Sequence, residues 1–228
     1  MDLADLHTPA DTAPCRITTF GPPASRPPIC LSPAHAEFVD QEIHKLRGAG
    51  VMMTGATPWA ATMFPVPKPC STKLRLVIDY RALNAQTIRD SMPIPHVRDV
   101  IARIGRFHAW SKADLKSGFW QIAMEDSSAP KTGCTTPTGL YMWKRMPMGI
   151  RNGPPTFQRV MSEAIAAAGL TRILGCFLDD LATGGANHVE AAAHTGRMLD
   201  MLKARRLLAG ADKIFLGLER LPFLGFQL

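Results

Sequence analysis

Two short apolar runs that each end on aspartate constrain the fold of this chain more than any other feature. The first lies at residues 107–110, in a predicted strand at 107–113 that is followed by Asp114, and the second lies at 174–178, in a predicted strand at 172–178 that is followed by Asp179 and Asp180. Apolar runs of this length predict buried strands. An ionised carboxylate beside a buried strand is costly unless it is paired or binds a cation. If the two strands are neighbours, their acids form a single site.

Carboxylates that meet in this way would suit magnesium, which prefers a couple of acidic oxygens together with water and bound phosphate. Side chains alternate along a strand, so Asp179 and Asp180 are expected on opposite faces. Asp114 and Asp179 are therefore the predicted principal ligands, with Asp180 nearer the edge of the site. The alternative is an Asp-Asp pair in an ordinary turn, where aspartate is common.

The rest of the pattern mixes helices and strands without the regular alternation that builds a parallel sheet. Ser32 and Pro33 begin a predicted helix, and apolar stretches at 60–66 and 74–78 predict a hairpin with a basic tip. Further elements are expected as helices at 96–104 and 156–168, strands at 131–135 and 141–145, and a closing hairpin at 213–216 and 223–226. This order favours the α+β class, with an antiparallel sheet packed on helices.

The last predicted helix has its own start signal. Asn187 followed three residues later by Glu190 resembles a capping box. The apolar residues Val189, Leu199 and Leu202 are expected to face the core.

Prolines mark where the folded domain begins. Seven of the 19 prolines fall within residues 1–33. Such a stretch cannot hold a helix or a central strand. Residues 1–30 are therefore predicted to be an extended lead-in, and residues 31–228 the folded domain.

Charge, hydropathy and cysteine spacing narrow the functional class. Residues 101–160 hold 9 basic and 3 acidic residues and so carry most of the net charge of +7. This suits a polyanionic partner, although a merely solvated basic face remains the alternative. The absence of a long apolar run and of a secretory signal favours a cytoplasmic or nuclear setting without a membrane partner. The five cysteines are too far apart for a zinc knuckle.

Five ordered blocks carry a family resemblance: LRLVIDYRALN (74–84), SKADLKSGFWQI (111–122), MPMGIRNGPPTFQ (146–158), FLDD (177–180) and FLG (223–225). In these blocks the chain from about Leu31 to Leu228 resembles the reverse transcriptase of gypsy-type LTR retrotransposons, and more distantly the retroviral enzymes. The resemblance implies the fingers and palm of a right-hand polymerase. The fingers would lie mainly at 31–105 and 125–147, and the palm mainly at 106–124 and 148–228.

The resemblance also implies an RNA-directed DNA polymerase, a nucleotidyltransferase that joins a dNTP to a primer 3′-hydroxyl on an RNA or DNA template. By position, Asp114, Asp179 and Asp180 correspond to its catalytic, metal-binding acids, and the backbone carbonyl of Leu115 to a further metal ligand. Two Mg²⁺ ions are implied, with Mn²⁺ as the other candidate ion. The implied partners are a template–primer duplex and dNTPs, and the parent element would make the chain as part of a larger polyprotein.

Other positions correspond to the family's substrate contacts. Those for the incoming nucleotide are Lys68 and Arg75 at the triphosphate, Phe119 against a 2′-hydroxyl, Met148 and Gly149 in the pocket lining, and Lys213 near the triphosphate. Those for primer and template are Phe177, Gln158, Phe223, Leu224 and Gly225. Without the resemblance, the basic residues would be interpreted as a solvated surface and Phe119 as an ordinary core aromatic.

Several residues depart from the family pattern. Phe177 replaces the usual tyrosine, the pair Gly133-Cys134 replaces alanine-phenylalanine, and Met148 replaces phenylalanine. Trp110 and Trp120 are also less usual at their positions.

The resemblance ends near the primer grip, so the thumb, connection and RNase H domains are expected to be absent. A truncated or degraded retroelement copy that binds nucleic acid without useful catalysis is the main alternative function. A metal-dependent nuclease or hydrolase built on the same acids is a third.

Overall fold

The computed structural model describes residues 6–69 and 71–228, which form two compact units. The described part of the first unit comprises residues 6–9, 14–69, 71–89 and 119–153, and the second comprises 10–13, 90–118 and 154–228. In chain order the elements are α1 (Pro33–Gly48), β1 (Met52–Thr54), β2 (Ala61–Pro67), β3 (Leu74–Asp79), α2 (Arg81–Gln86), α3 (Val97–Ile104), β4 (Ala109–Asp114), α4 (Gly118–Gln121), β5 (Cys134–Thr136), β6 (Gly139–Trp143), α5 (Gly153–Ala167), β7 (Leu174–Phe177), β8 (Asp180–Gly185), α6 (His188–Ala204), β9 (Phe215–Leu218), β10 (Pro222–Phe223) and β11 (Phe226–Gln227). Among the described residues, no helix has both the length and the apolar character needed to cross a membrane.

The first unit is built on a five-stranded sheet in the order β1-β6-β5-β2-β3. Its neighbouring strands are antiparallel except for β2 and β5, which pair in parallel. The β2–β3 pair confirms the predicted hairpin, and the Lys68 amide donates to the Lys73 carbonyl at 2.8 Å near its tip. The basic tip is therefore held on a regular two-stranded ladder.

Helix α1 supplies much of the core of this unit. It begins as predicted, with the Ser32 hydroxyl accepting a hydrogen bond from the His35 amide at 3.4 Å. Its buried face consists of Val39, Ile43 and Leu46. These side chains cluster with residues from the strands and the lead-in, including Leu6, Val51, Met63, Cys134 and Trp143.

The segment before α1 packs on the first unit. Residues 14–31 contain no helix. They pair with the rest of the unit at the isolated bridges Cys15–Met124, Thr19–Thr87 and Ser25–Ala60, and the Ile17 amide donates to the Ser128 hydroxyl at 2.9 Å. The buried guanidinium of Arg145 donates to the carbonyls of Leu6 and His7 at 2.8 and 2.6 Å. A buried charge with polar partners on this segment anchors the lead-in to the folded domain.

The second unit has a four-stranded antiparallel sheet in the order β7-β8-β4-β9. Helices α3 and α6 pack on these strands. A core cluster that includes residues of α3 and of the sheet is formed by Val100, Ile104, Phe107, Trp110, Ala182, Leu221 and Phe223. Both units thus confirm the predicted α+β class, in which mainly antiparallel sheets pack on helices.

The strand order corrects one expectation about the aspartate-bearing strands. The predicted strands at 107–113 and 172–178 form as β4 and β7, but they are not neighbours. Strand β8, which starts at Asp180, lies between them. A two-residue connection forces β8 back beside β7, and the free edge of β8 then pairs with β4.

The closing hairpin is also corrected. Strand β9 pairs with β4 at the edge of the four-stranded sheet, and the hairpin consists of β10 and β11. Leu224 and Gly225 connect these strands with φ values of +51° and +81°. Two successive positive φ values are typical of the tight turns that match the twist of a hairpin.

Helix α6 confirms its predicted cap and corrects two of its core residues. The Asn187 side chain accepts a hydrogen bond from the Glu190 amide at 2.9 Å. Leu202 is buried, but Val189 is 81% exposed and Leu199 is 37% exposed. The buried stripe of the helix contains Leu202 but otherwise differs from the prediction, and it consists of Ala191, Thr195, Met198, Met201 and Leu202.

Candidate active site

The three aspartates meet where β4 ends and β8 begins. The antiparallel register pairs Asp114 with Asp180, and Asp179 immediately precedes β8. The Leu115 amide donates to the Asp179 carbonyl at 3.1 Å and joins the two segments. Residues far apart in sequence are therefore brought to one end of the sheet by strand pairing.

A strained turn presents Asp179. Phe177 pairs with Asp180, so only Leu178 and Asp179 connect β7 to β8. Leu178 has a φ of +54°, which is uncommon and costly for a residue other than glycine. The buried side chain of Gln158, on α5, accepts a hydrogen bond from the Leu178 amide at 3.0 Å.

Gly118 leaves the space beside this turn. A Cβ at this position would lie 2.9 Å from the ring of Phe157 and 3.4 Å from the Cβ of Asp179. Phe157 is fully buried and cannot move aside easily. Gly118 lies within the block at 111–122, but no local pattern marks it as part of a site.

The site concentrates negative charge. Burial raises the pKa of Asp179, and the charges of Asp114 and Asp180 raise it further. Lys213 Nζ lies 2.8 Å from Asp114 Oδ1, and this hydrogen bond raises the pKa of Lys213. Lys112 Nζ lies 3.6 Å from Asp180 Oδ1. Two lysines thus partly offset the charge of the acids.

The chemistry of these donors fits a hard divalent cation. Carboxylate oxygens are the ligands that magnesium prefers, and a cation would neutralise the charge that raises the pKa of Asp179. Within residues 6–69 and 71–228, no three His, Cys, Asp or Glu side chains are grouped closely enough to hold a metal ion. Asp114 is hydrogen-bonded to Lys213 instead, so a cation would compete with this lysine.

Lys68 and Arg75 lie in the first unit, on the β2–β3 hairpin. Arg75 is the register partner of Val66, two residues before Lys68. Both side chains are exposed. The hairpin therefore presents two cations close together to solvent.

The pocket-lining candidates of the first unit lie near a tight turn. Met148 is 58% exposed, and Gly149 has a φ of +88°, which favours glycine. The carbonyl of Gly149 accepts a hydrogen bond from Asn84 Nδ2 at 2.8 Å. Phe119 is half-buried, and its ring would be 3.0 Å from a Cβ added at Gly153.

The remaining primer and template candidates belong to the second unit. Phe177 is half-buried at the end of β7, whereas Gln158 and Phe223 are buried. Leu224 and Gly225 form the turn between β10 and β11. Gln158 therefore contacts the turn that presents the acids.

The structure adds two further residues to the candidate site. Lys112 approaches Asp180, and Asn84 holds the Gly149 turn. Alternation along β4 places Lys112 and Asp114 on the same face, which is a signal that could have identified the lysine. The partner of Asn84 lies 65 residues away, and no local pattern indicates it.

Aspartates at the strand ends of a helix-backed antiparallel sheet, with lysines beside them, are a set of groups that suits cation-assisted chemistry on phosphates. The family described as reverse transcriptase (RNA-dependent DNA polymerase) matches residues 66–228. Polyprotein P3 of Commelina yellow mottle virus is 30% identical over 227 residues, which cover 94% of this chain and 12% of that protein. The chain therefore belongs to the reverse transcriptase family.

Other relatives agree with this assignment. The retrovirus-related Pol polyprotein from transposon 297 of Drosophila melanogaster is 33% identical over 168 residues, which cover 72% of this chain and 16% of that protein. The foamy viral protease-reverse transcriptase in complex with dsDNA has a TM-score of 0.85 at 23% identity and covers 96% of this chain and 45% of that chain. The same viral protein with an RNA/DNA hybrid has a TM-score of 0.83 at 22% identity, covering 96% and 28%. These two structures confirm the fold.

Proposed function

We propose that this chain catalyses RNA-directed DNA synthesis, in which a dNTP is joined to a primer 3′-hydroxyl on an RNA or DNA template. The observation that carries the proposal is the strand register that places Asp180 opposite Asp114 and next to Asp179. Burial raises the pKa of Asp179, and the charges of Asp114 and Asp180 raise it further; this supports the proposal, because a cation would offset both effects. The chain spans 12% and 16% of two polyprotein relatives, so we also propose that it acts as part of a larger polyprotein.

Asp114 and Asp179 are the proposed principal ligands of two Mg²⁺ ions, or of Mn²⁺, with Asp180 and the Leu115 carbonyl completing the protein's contribution. Bound there, the ions would favour the ionised form of the primer hydroxyl and neutralise charge on the phosphates. Lys213, hydrogen-bonded to Asp114, is the proposed cation at the leaving phosphates. Its exposure leaves its remaining N–H groups free to donate.

Residues of the first unit are proposed to bind the incoming nucleotide. Lys68 and Arg75 would hold the triphosphate, because a guanidinium can donate two parallel hydrogen bonds to phosphate oxygens. Phe119 would exclude a ribose 2′-hydroxyl, and the turn of Met148 and Gly149 would line the nucleotide pocket. The exposure of both cations and of Met148 is compatible with these roles.

The primer and template are proposed to lie against Phe177 and the turn of Leu224 and Gly225, supported by Phe223. Gln158 would act through the Leu178 turn, because its buried side chain accepts the Leu178 hydrogen bond. The foamy viral relatives whose structures are similar were solved with an RNA/DNA hybrid and with dsDNA, which supports the proposed nucleic-acid partners. We further propose a gypsy-type LTR retrotransposon origin, supported by the 33% identity to transposon 297.

Primer extension on an RNA template with magnesium tests the proposal. The parent chain should extend the primer, and Asp179→Asn should abolish extension because the substitution removes a charged ligand. Asp200→Asn, on the exposed side of α6, is the matched control and should retain extension. A parent that binds duplex without extending it would instead be an inactive nucleic-acid-binding remnant. Primer degradation without dNTPs would indicate a nuclease.

A further inference from the structure

The turn after Met148 is held at both ends by one side chain. Asn84 Nδ2 donates to the Gly149 carbonyl at 2.8 Å, and the Arg151 amide donates to Asn84 Oδ1 at 2.7 Å. A carboxamide carries a donor NH2 group and an acceptor oxygen in one plane, so it can pair with both backbone groups at once. Alanine can make neither bond, and aspartate would set a negative charge against the Gly149 carbonyl.

The same turn is also attached to the end of helix α2. The Arg151 guanidinium donates to the carbonyls of Asn84 and Thr87 at 3.1 and 3.4 Å. The Asn84 carbonyl lies in the last turn of α2, where it also accepts the Thr87 amide at 3.3 Å, and Thr87 is the residue that ends the helix. A cation is favourable at this end of a helix.

Helix α2 directly follows β3, the strand that carries Arg75. Between them, Tyr80 is fully buried and its hydroxyl donates to the Thr132 carbonyl at 2.9 Å. A Cβ added at Gly149 would lie 3.7 Å from the Tyr80 ring. The turn therefore rests on the anchored junction between β3 and α2.

We propose that Asn84 is a positioning residue that sets the affinity for the incoming dNTP by fixing the turn of Met148 and Gly149 to the end of α2. The inference rests on the proposed function, which assigns the turn to the nucleotide pocket. This positioning role does not require Asn84 to touch the reacting atoms. It keeps the turn in one conformation, so that dNTP binding does not have to order it.

The test compares Asn84→Ala and Asn84→Asp with Asn187→Ala in the full chain with magnesium. Asn187 is the matched control, because its side chain also accepts a backbone hydrogen bond but caps α6. On a dideoxy-terminated primer, the concentration of the next dNTP that half-saturates the ternary complex is measured without catalysis. Primer extension then gives KM and kcat, and hydrogen exchange follows the Arg151 amide.

Asn84→Ala is expected to raise the half-saturating dNTP concentration and KM roughly tenfold, which corresponds to about 1.4 kcal/mol. Asn84→Asp should raise both further, kcat should change little, and the Arg151 amide should exchange faster in both variants. Asn187→Ala should change none of these quantities, even if it lowers the melting temperature.

Three results would overturn the inference: unchanged exchange at Arg151, faster exchange with an unchanged dNTP requirement, or a loss confined to kcat. Failure of the proposed function is a different result, namely a parent chain that does not extend a primer. If such a parent still formed the dNTP-dependent complex and Asn84→Ala weakened it, the proposed polymerase activity would be refuted, and the inference about Asn84 would stand. A parent that formed no such complex would overturn both.

Discussion

Gln158 and Leu178 are joined by a hydrogen bond of 3.0 Å from the Leu178 amide to the buried Oε1 of Gln158. Leu178 has a positive φ and immediately precedes Asp179. A polar side chain inside the unit thus stabilises the backbone conformation that presents one of the acids.

Gln158→Met should weaken this support while keeping the volume of the side chain. The Leu178 amide would lose its buried acceptor, so the free energy of unfolding should fall by about 1–3 kcal/mol. Primer extension should fall roughly tenfold. Gln41→Met on the exposed face of α1 is the control, measured by urea unfolding and by the extension assay. If the two variants lost equal amounts of unfolding free energy and of primer extension, the proposed role of Gln158 would be wrong.

Lys213→Gln should reduce extension more than it reduces stability. The lysine is 51% exposed, so its ion pair with Asp114 is screened and should contribute less than about 1 kcal/mol. Loss of the proposed cation at the leaving phosphates should reduce kcat by about tenfold or more. Lys213→Arg should retain more activity, and Lys203→Gln on α6 should have no effect. A kcat equal to that of the parent would exclude the proposed role.

Phe119→Ala should admit ribonucleotides, because the proposed steric block of the 2′-hydroxyl is removed. Incorporation of rNTP relative to dNTP is expected to rise by roughly tenfold or more, which corresponds to a loss of about 1.4 kcal/mol or more of discrimination. Gly153→Ala should also alter this ratio, because its Cβ would lie 3.0 Å from the Phe119 ring and displace it. Phe20→Ala, at a 59% exposed position, is the control. If Phe119→Ala left the ratio of rNTP to dNTP incorporation unchanged, Phe119 would be only a packing residue.

The stability of the second unit should depend on pH through Asp90 and Arg159. Arg159 Nη2 lies 2.6 Å from Asp90 Oδ2, and this contact lowers the pKa of Asp90 below its ordinary 3.8. A lowered folded-state pKa stabilises the fold above the ordinary value, and the contribution is lost as the pH falls through the lowered pKa.

Arg159→Gln should therefore reduce the free energy of unfolding by about 0.5 kcal/mol near neutral pH, a modest value because Arg159 is 41% exposed. The difference from the parent should shrink as the pH falls below 3.8. Urea unfolding at several pH values measures it, with Arg98→Gln on the exposed face of α3 as the control. If the difference in unfolding free energy between parent and variant grew as the pH fell, the proposed stabilisation by the Asp90–Arg159 pair would be wrong.

Restoring the family's usual alanine at Gly133 should destabilise this chain. A Cβ there would collide with the backbone oxygen of Trp59 and lie 2.7 Å from Thr57 Cγ2. A backbone atom cannot move aside cheaply, so the expected loss is about 1–3 kcal/mol. Gly196→Ala, in open space on α6, should instead stabilise by up to about 1 kcal/mol. Thermal unfolding of both variants separates a clash from a general effect of glycine replacement.

Local patterns were sufficient for most individual elements. Ser32 begins α1 and Asn187 caps α6 because a side-chain oxygen and a backbone amide a few residues away form the cap. The apolar runs before Asp114 and Asp179 form strands for an equally local reason. In helix α6 the local pattern is not sufficient, because Val189 is apolar yet exposed and Met198 is the residue buried in the core. The buried face of a helix is selected by the sheet on which it packs.

The sequence by itself determined the α+β class and most of the individual elements, and it predicted which acids a site would use. The tertiary structure decided that β8 lies between β7 and β4, that β9 pairs with β4, and that Asn84 reaches the turn at Gly149. Each of these pairings joins backbone groups far apart in the chain, and any strand edge offers the same donors and acceptors. Only the packing of the complete units selects among such equivalent edges. That selection brings Asp114, Asp179 and Asp180 to one end of the sheet.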